Sequence, residues 1–156
     1  MKRRYFIWCI LLLLLAAGMY GYNEFNRQRA DSGSLKPKFS IDATALLNEF
    51  ISNEQEANKK YGGQNIIVAV TGTIKEVSQS RNGYYTILMG DTGSLSSIHC
   101  SMDTAYATGF NQLKRGSQAT IKGNFNGYKA DEFGIGADVE LNFCVVTNPG
   151  LTSKQK

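Results

Sequence analysis

Three places in the sequence hold residue types that do chemistry. Asp91-Thr92-Gly93-Ser94 is the tetrapeptide around which aspartic proteases set two carboxylates that share one proton. It occurs once, so only a homodimer would complete such a site, and Gly90 stands where those loops carry a bulky apolar residue. A Gly-Asp-x-Gly hairpin turn accounts for the same residues without catalysis. His99, the only histidine, lies between Ile98 and Cys100 and on a strand would point away from their shared face. With no nearby Asp/Glu or second His, it makes a poor metal ligand or triad base. Walker-type glycine loops, Cys-x-x-Cys pairs and paired-His helices are missing from the sequence. We therefore expect no catalytic residues, no metal, no cofactor and no enzymatic activity. Cys100 and Cys144 are the third feature. On neighbouring strands outside the cell they would form a disulfide closing a loop of about 43 residues; the other reading is two buried free thiols packing as small hydrophobes. Alternation from Leu141 puts Cys144 on the wrong face, so pairing requires a bulge near Asn142-Phe143.

Binding chemistry has more material. Tyr84, Tyr85, Phe125 and Tyr128 can supply stacking surfaces, and Lys75, Lys122 and Lys129 can supply a basic stripe, the combination that single-stranded nucleic acid requires. Charge argues against it. The whole chain has 17 basic and 13 acidic side chains and a pI near 9.0, but the first thirty residues hold five basic against one acidic. The remaining 126 residues are neutral, with twelve of each sign. Phosphate neutralisation supplies most non-specific affinity, so nucleic acid ranks below a protein, peptide or glycan partner. The candidate face is Lys75, Tyr84, Lys122, Tyr128 and Lys129.

The elements that must position these residues begin with an uncharged stretch. Lys2-Arg3-Arg4 precedes Tyr5 to Tyr22, which contains no charged side chain. Eighteen helical residues rise roughly 27 Å, close to the bilayer's hydrocarbon thickness of about 30 Å. Aromatics bracket the stretch and the basic cluster fixes its N-terminus inside. We expect residues 1–22 to be a transmembrane signal anchor in the cytoplasmic (inner) membrane, with the rest of the chain outside. Ala16-Ala17-Gly18 leaves open cleavage to a secreted or periplasmic form. Cys9 follows Phe6-Ile7-Trp8, which is not a lipobox. Residues 23–39 read as a polar stalk. Ser40 or Asp42 then caps a single helix from Ala43 to Tyr61, with Leu46, Leu47 and Phe50 on its apolar face and Gly62-Gly63 at its end.

From Ile66 the period becomes two. Strands are expected over Ile66–Lys75, Tyr85–Met89, Ile98–Met102, Ala119–Phe125 and Val139–Val146, with a bulge or sharp coil at Gly72, a hairpin at Asn82-Gly83 and a short helix within Asp103–Leu113. Residues 148–156 read as a flexible tail. Three strands, a short helix and two strands is the order of an OB-fold Greek-key β-barrel, here an α+β domain over residues 40–147. Val70-Thr71-Gly72-Thr73-Ile74, Leu113-x-x-Gly116-x-x-Ala119-x-Ile121-Lys122-Gly123, Asp138-Val139-x-Leu141-x-x-Cys144-x-Val146 and, before them, Ala57-Asn58-x-x-Tyr61-x-Gly63 resemble the tRNA-anticodon-like OB-fold family of small bacterial exported or membrane-anchored proteins. The resemblance implies kinship with nucleic-acid-binding OB domains, and it supplies no catalytic residue.

Overall fold

The computed structural model describes residues 12–22, 32–63, 66–106, 110, 113–131 and 134–149. Helix α1 (residues 12–22) leaves every side chain exposed, Leu12 to Leu15, Met19, Tyr20 and Tyr22 included. No helix among the described residues is long and apolar enough to cross a membrane, and α1 covers only the second part of the expected transmembrane span. The first part of that span, residues 1–11, lies outside the described residues.

Chain placement on the domain starts earlier than the alternation predicts. β1 (Phe39–Asp42) runs parallel to the start of β2 (Ile67–Gln79), with Phe39 opposite Val68 and Asp42 opposite Thr71. Hydrogen bonds from Lys38 to the Ile67 carbonyl and from Lys122 and Asn124 to Ser32, Gly33 and Leu35 hold the C-terminal part of the expected stalk on the domain; residues 23–31 of it lie outside the described residues. The Asp42 carboxylate accepts the Thr44 N–H and caps α2 (Ala43–Ser52). The expected single helix is two. Asn53 leaves helical geometry, its side chain accepting the Glu56 N–H while its amide donates to Glu56, and so starts α3 (Glu54–Tyr61). Ala43, Leu46, Leu47 and Phe50 of α2 and Ala57 and Tyr61 of α3 are buried. Each large side chain among them contributes roughly 1.5–3 kcal/mol by leaving water.

The barrel is closed and five-stranded. β2, β3 (Tyr85–Met89), β4 (Ser97–Met102), β6 (Ala137–Pro149) and β5 (Gln118–Ala130) pair in that order, and β5 returns to β2. All neighbours are antiparallel except β4 with β6. This is the OB-fold order, with β1 added at the edge. Ile74, Ile87, Met89, Ile98, Ile121, Val139 and Leu141 fill the interior.

Three details differ from the expectation. Gly72 is not the bulge: the register of β2 slips between Ile74 and Glu76, and a Cβ at Gly72 would stand 2.7 Å from that of Ala43, so the glycine admits the start of α2. Of the short helix the described residues show a 3-10 turn at Thr104–Tyr106 and Phe110 in 3-10 geometry, with residues 107–109, 111 and 112 outside the described set. The last two strands are longer than their alternation suggests and form one hairpin up to Ala130 and Ala137.

Candidate binding face

The five residues expected to form one face are dispersed. Lys75 leaves β2 and donates to the carbonyls of Ser94 (2.6 Å) and Ser96 (3.0 Å) and to Ser97 Oγ (2.8 Å). Its charge holds the β3–β4 loop. Lys122 is 8 % exposed and donates to the Gly33 and Leu35 carbonyls at 2.9 and 3.0 Å. Together with Asn124, whose amide donates to Ser32 Oγ, it straps residues 32–35 to β5. A Cβ at Gly33 would meet the outer end of the Tyr106 ring, which would have to move aside. Tyr128 stacks on Phe50 at 5.1 Å, beside Phe125 at the same distance. Burial raises the Tyr128 hydroxyl pKa, with a smaller push from Glu54. Two aromatics that looked like stacking platforms are thus covered by α2.

Tyr84 and Lys129 remain at the surface. Tyr84 is 57 % exposed in the β2–β3 turn. Lys129 pairs with Glu140 at 2.8 Å. That hydrogen bond raises the lysine pKa and, with a second from Asn126, lowers that of Glu140.

The open surface is the outer side of β3, β4 and β6. Alternation with buried Ile87, Ile98, Cys100 and Val139 turns Thr86, Leu88, His99, Ser101, Asp138 and Glu140 outward. Thr86 lies opposite Ser101, Leu88 opposite His99, and His99 opposite Glu140. His99 Nε2 stands 3.4 Å from Asp138, whose other oxygen accepts the Ser97 N–H. The sequence reading left His99 without a carboxylate because Asp138 is 39 residues away; the parallel β4–β6 pairing supplies it. Leu95 (70 % exposed) and Ile135 (63 %) form an apolar shoulder where the β3–β4 loop meets the β5–β6 turn.

No group of three His, Cys, Asp or Glu able to hold a metal occurs among the described residues. Asp91 accepts the Gly93 N–H at 3.0 Å in an exposed Asx turn, an arrangement that needs no catalytic role. Cys100 and Cys144 are both buried free thiols.

A family model described as tRNA_anti-like matches residues 1–134. No curated protein matches. A crystal structure of a "putative nucleic acid-binding lipoprotein" from Klebsiella pneumoniae is similar, with 21% identity and a TM-score of 0.51 over 69% of this chain and 91% of that one. Asparaginyl-tRNA synthetase from Entamoeba histolytica shares 16% identity over 72% of this chain and 24% of its own, with a TM-score of 0.45. A replication factor A related protein from Methanobacterium thermoautotrophicum shares 17% over 56% and 86%, with a TM-score of 0.35. The likeness to the Klebsiella lipoprotein is one of fold.

Proposed function

The chain belongs to the tRNA_anti-like family, and from that membership we propose that it is a non-enzymatic OB-fold binding module, anchored in the inner membrane by its N-terminal segment and working outside the cytoplasm. Its partner is a protein, peptide or glycan of neutral or mixed charge. One observation carries this reading: Lys75 and Lys122 spend their charge on backbone carbonyls, and Lys129 meets Glu140. The open face of β3, β4 and β6 is left with Tyr84, Thr86, Leu88, His99 and Ser101 beside two carboxylates, a surface with hydrogen-bonding groups and no phosphate-binding stripe. The anchor is supported by Lys2-Arg3-Arg4, by the uncharged run from Tyr5 to Tyr22, and by the exposed apolar side chains of α1, which ask for a non-aqueous neighbour.

In-cell crosslinking and capture tests the site. Tyr84→Ala with Ser101→Arg should remove at least one captured partner while leaving the fold intact; capture of every partner unchanged would sink the face. Resistance of the full chain to carbonate extraction, with the barrel digested by protease added to spheroplasts, tests the anchor.

A second reading, a single-stranded nucleic-acid binder, is favoured by the family and by the description of the Klebsiella lipoprotein. Gel shifts with oligonucleotides separate the two. A nucleic-acid binder shifts at 50 mM salt and loses affinity steeply by 200 mM; the balanced face predicts no shift at either.

A further inference from the structure

Resting on the reading of the domain as a protein-binding module, we infer that the cleft between Leu95 and Ile135 receives a basic side chain, arginine above all, presented by the partner. The cleft lies where the β3–β4 loop meets the β5–β6 turn, and its volume is about 390 Å³. That is at the small end of ligand sites, roughly 300–1,000 Å³, and suits one or two side chains, not a helix.

Leu95 is fixed in place although most of its surface meets solvent. Lys75 reaches over from β2 to the carbonyls on either side of it, those of Ser94 and Ser96. Ser94 Oγ accepts the Ser96 N–H, Asp138 accepts the Ser97 N–H, and Ser96 Oγ accepts the Ala137 N–H from β6. The loop is thus tied to both strands beside it. Gly136 lets the two walls approach: a Cβ there would lie 3.3 Å from that of Leu95. On the other side, Ile135 stands in a turn closed by the Gly134 N–H on the Asp131 carbonyl (3.0 Å) and the Asp131 N–H on the Gly136 carbonyl (2.9 Å). A single exposed leucine on a loop needs no explanation. Two branched side chains held open across a cleft by internal hydrogen bonds are preorganised, which lowers the entropy lost on binding.

Charge selects the occupant. Lys129, Asp131 and Asp138 line the cleft together with its two apolar walls. Lys129 pairs with Glu140, so the charge that remains to the cleft is that of the aspartates. A phosphate or a carboxylate would be repelled there, and a cation attracted. Arginine suits the site better than lysine. Its stem is apolar enough to lie between Leu95 and Ile135, its planar fork matches carboxylate oxygens, and it is less strongly hydrated than an ammonium.

The full chain, purified in detergent, is panned against a random dodecapeptide library displayed on phage, and the enriched peptides are resynthesised and titrated. They should carry arginine next to an apolar residue. Affinity should fall at least about tenfold in the Leu95→Ser, Ile135→Ser double variant and in Asp138→Asn, which keeps an acceptor for the Ser97 N–H. Replacing the peptide's arginine by citrulline, equal in shape and uncharged, should have the same effect. Enrichment without basic residues, no enrichment, or affinity unchanged in either variant overturns the inference. If crosslinked partners in cells depend on Tyr84 and Ser101 but not on Leu95, Ile135 and Asp138, the strand face stands and the arginine cleft falls. If the peptides behave as expected and no protein is captured in cells, the cleft stands and the module reading falls.

Discussion

The two flanks of the barrel use the same residue types for opposite purposes. On the β2–β5 flank, Lys122 is buried under residues 32–35, and Phe125 and Tyr128 lie against Phe50. On the β3–β4–β6 flank, Tyr84 stands in solvent, His99 lies beside Asp138, and Lys129 pairs with Glu140 at the surface. Lysines and aromatics on a strand are thus no sign of a binding face by themselves. What decides is whether another part of the chain lies over them, and here α2, α3 and the strap cover one flank and leave the other bare.

The comparison breaks or sharpens under substitution. Phe50→Ala on the covered flank removes the ring that joins Tyr61, Phe125 and Tyr128 and should cost about 3–5 kcal/mol, read from the denaturant midpoint at constant slope. A cost no larger than that of an open-flank variant would erase the distinction. Lys122→Met should remove the hydrogen bonds to the Gly33 and Leu35 carbonyls, for about 1–3 kcal/mol, with hydrogen exchange accelerated over residues 32–38 before the barrel itself opens.

Smaller still is the exposed Glu49–Lys60 pair across α2 and α3. The lysine's hydrogen bond holds the Glu49 carboxyl below its ordinary value, so its contribution is present above the unfolded pKa and is lost as pH falls through the folded one. Lys60, raised by the same bond, loses its contribution only as strongly alkaline pH passes its folded value. With both side chains more than a third exposed the pair is worth less than about 1 kcal/mol. Lys60→Ala should therefore flatten the acid limb of a stability-against-pH curve only slightly. Smallest of all, Tyr84→Ala on the open flank should change stability by less than about 0.5 kcal/mol while weakening partner capture; a large loss of stability there would show that the open flank is structural too.

The strands were legible because each alternates over its own length: Tyr85, Ile87 and Met89, then Ile98, Cys100 and Met102, need no partner to be read. A bulge near Phe143 was legible only as a condition, the one an inward-facing Cys144 would require. The break at Asn53 was hidden because the apolar spacing runs on from Phe50 to Ala57 and Tyr61 across it. The signal was nonetheless present in Asn53-Glu54-Gln55-Glu56, an N-cap followed three residues later by glutamate. β1 also alternates, through Phe39 and Ile41, but four residues at the end of a polar segment are too few to stand out. The candidate site was least legible. Lys122 sits between Ile121 and Gly123 as any solvent-facing strand lysine would, and the groups it meets, at Gly33 and Leu35, are more than 80 residues away.

That lysine also fixes a length. Were residues 23–39 a free tether, the domain's range from residue 22 would be about 60 Å at full extension. With Ser32 to Leu35 fastened to β5, only about ten residues are left to span the gap, a range of about 35 Å. On the proposed anchor at residues 1–22, the volume the domain could sweep scales as the cube of that range, so the Lys122 strap would shrink it roughly fivefold and raise the effective concentration for a partner fixed at the same membrane by a similar factor.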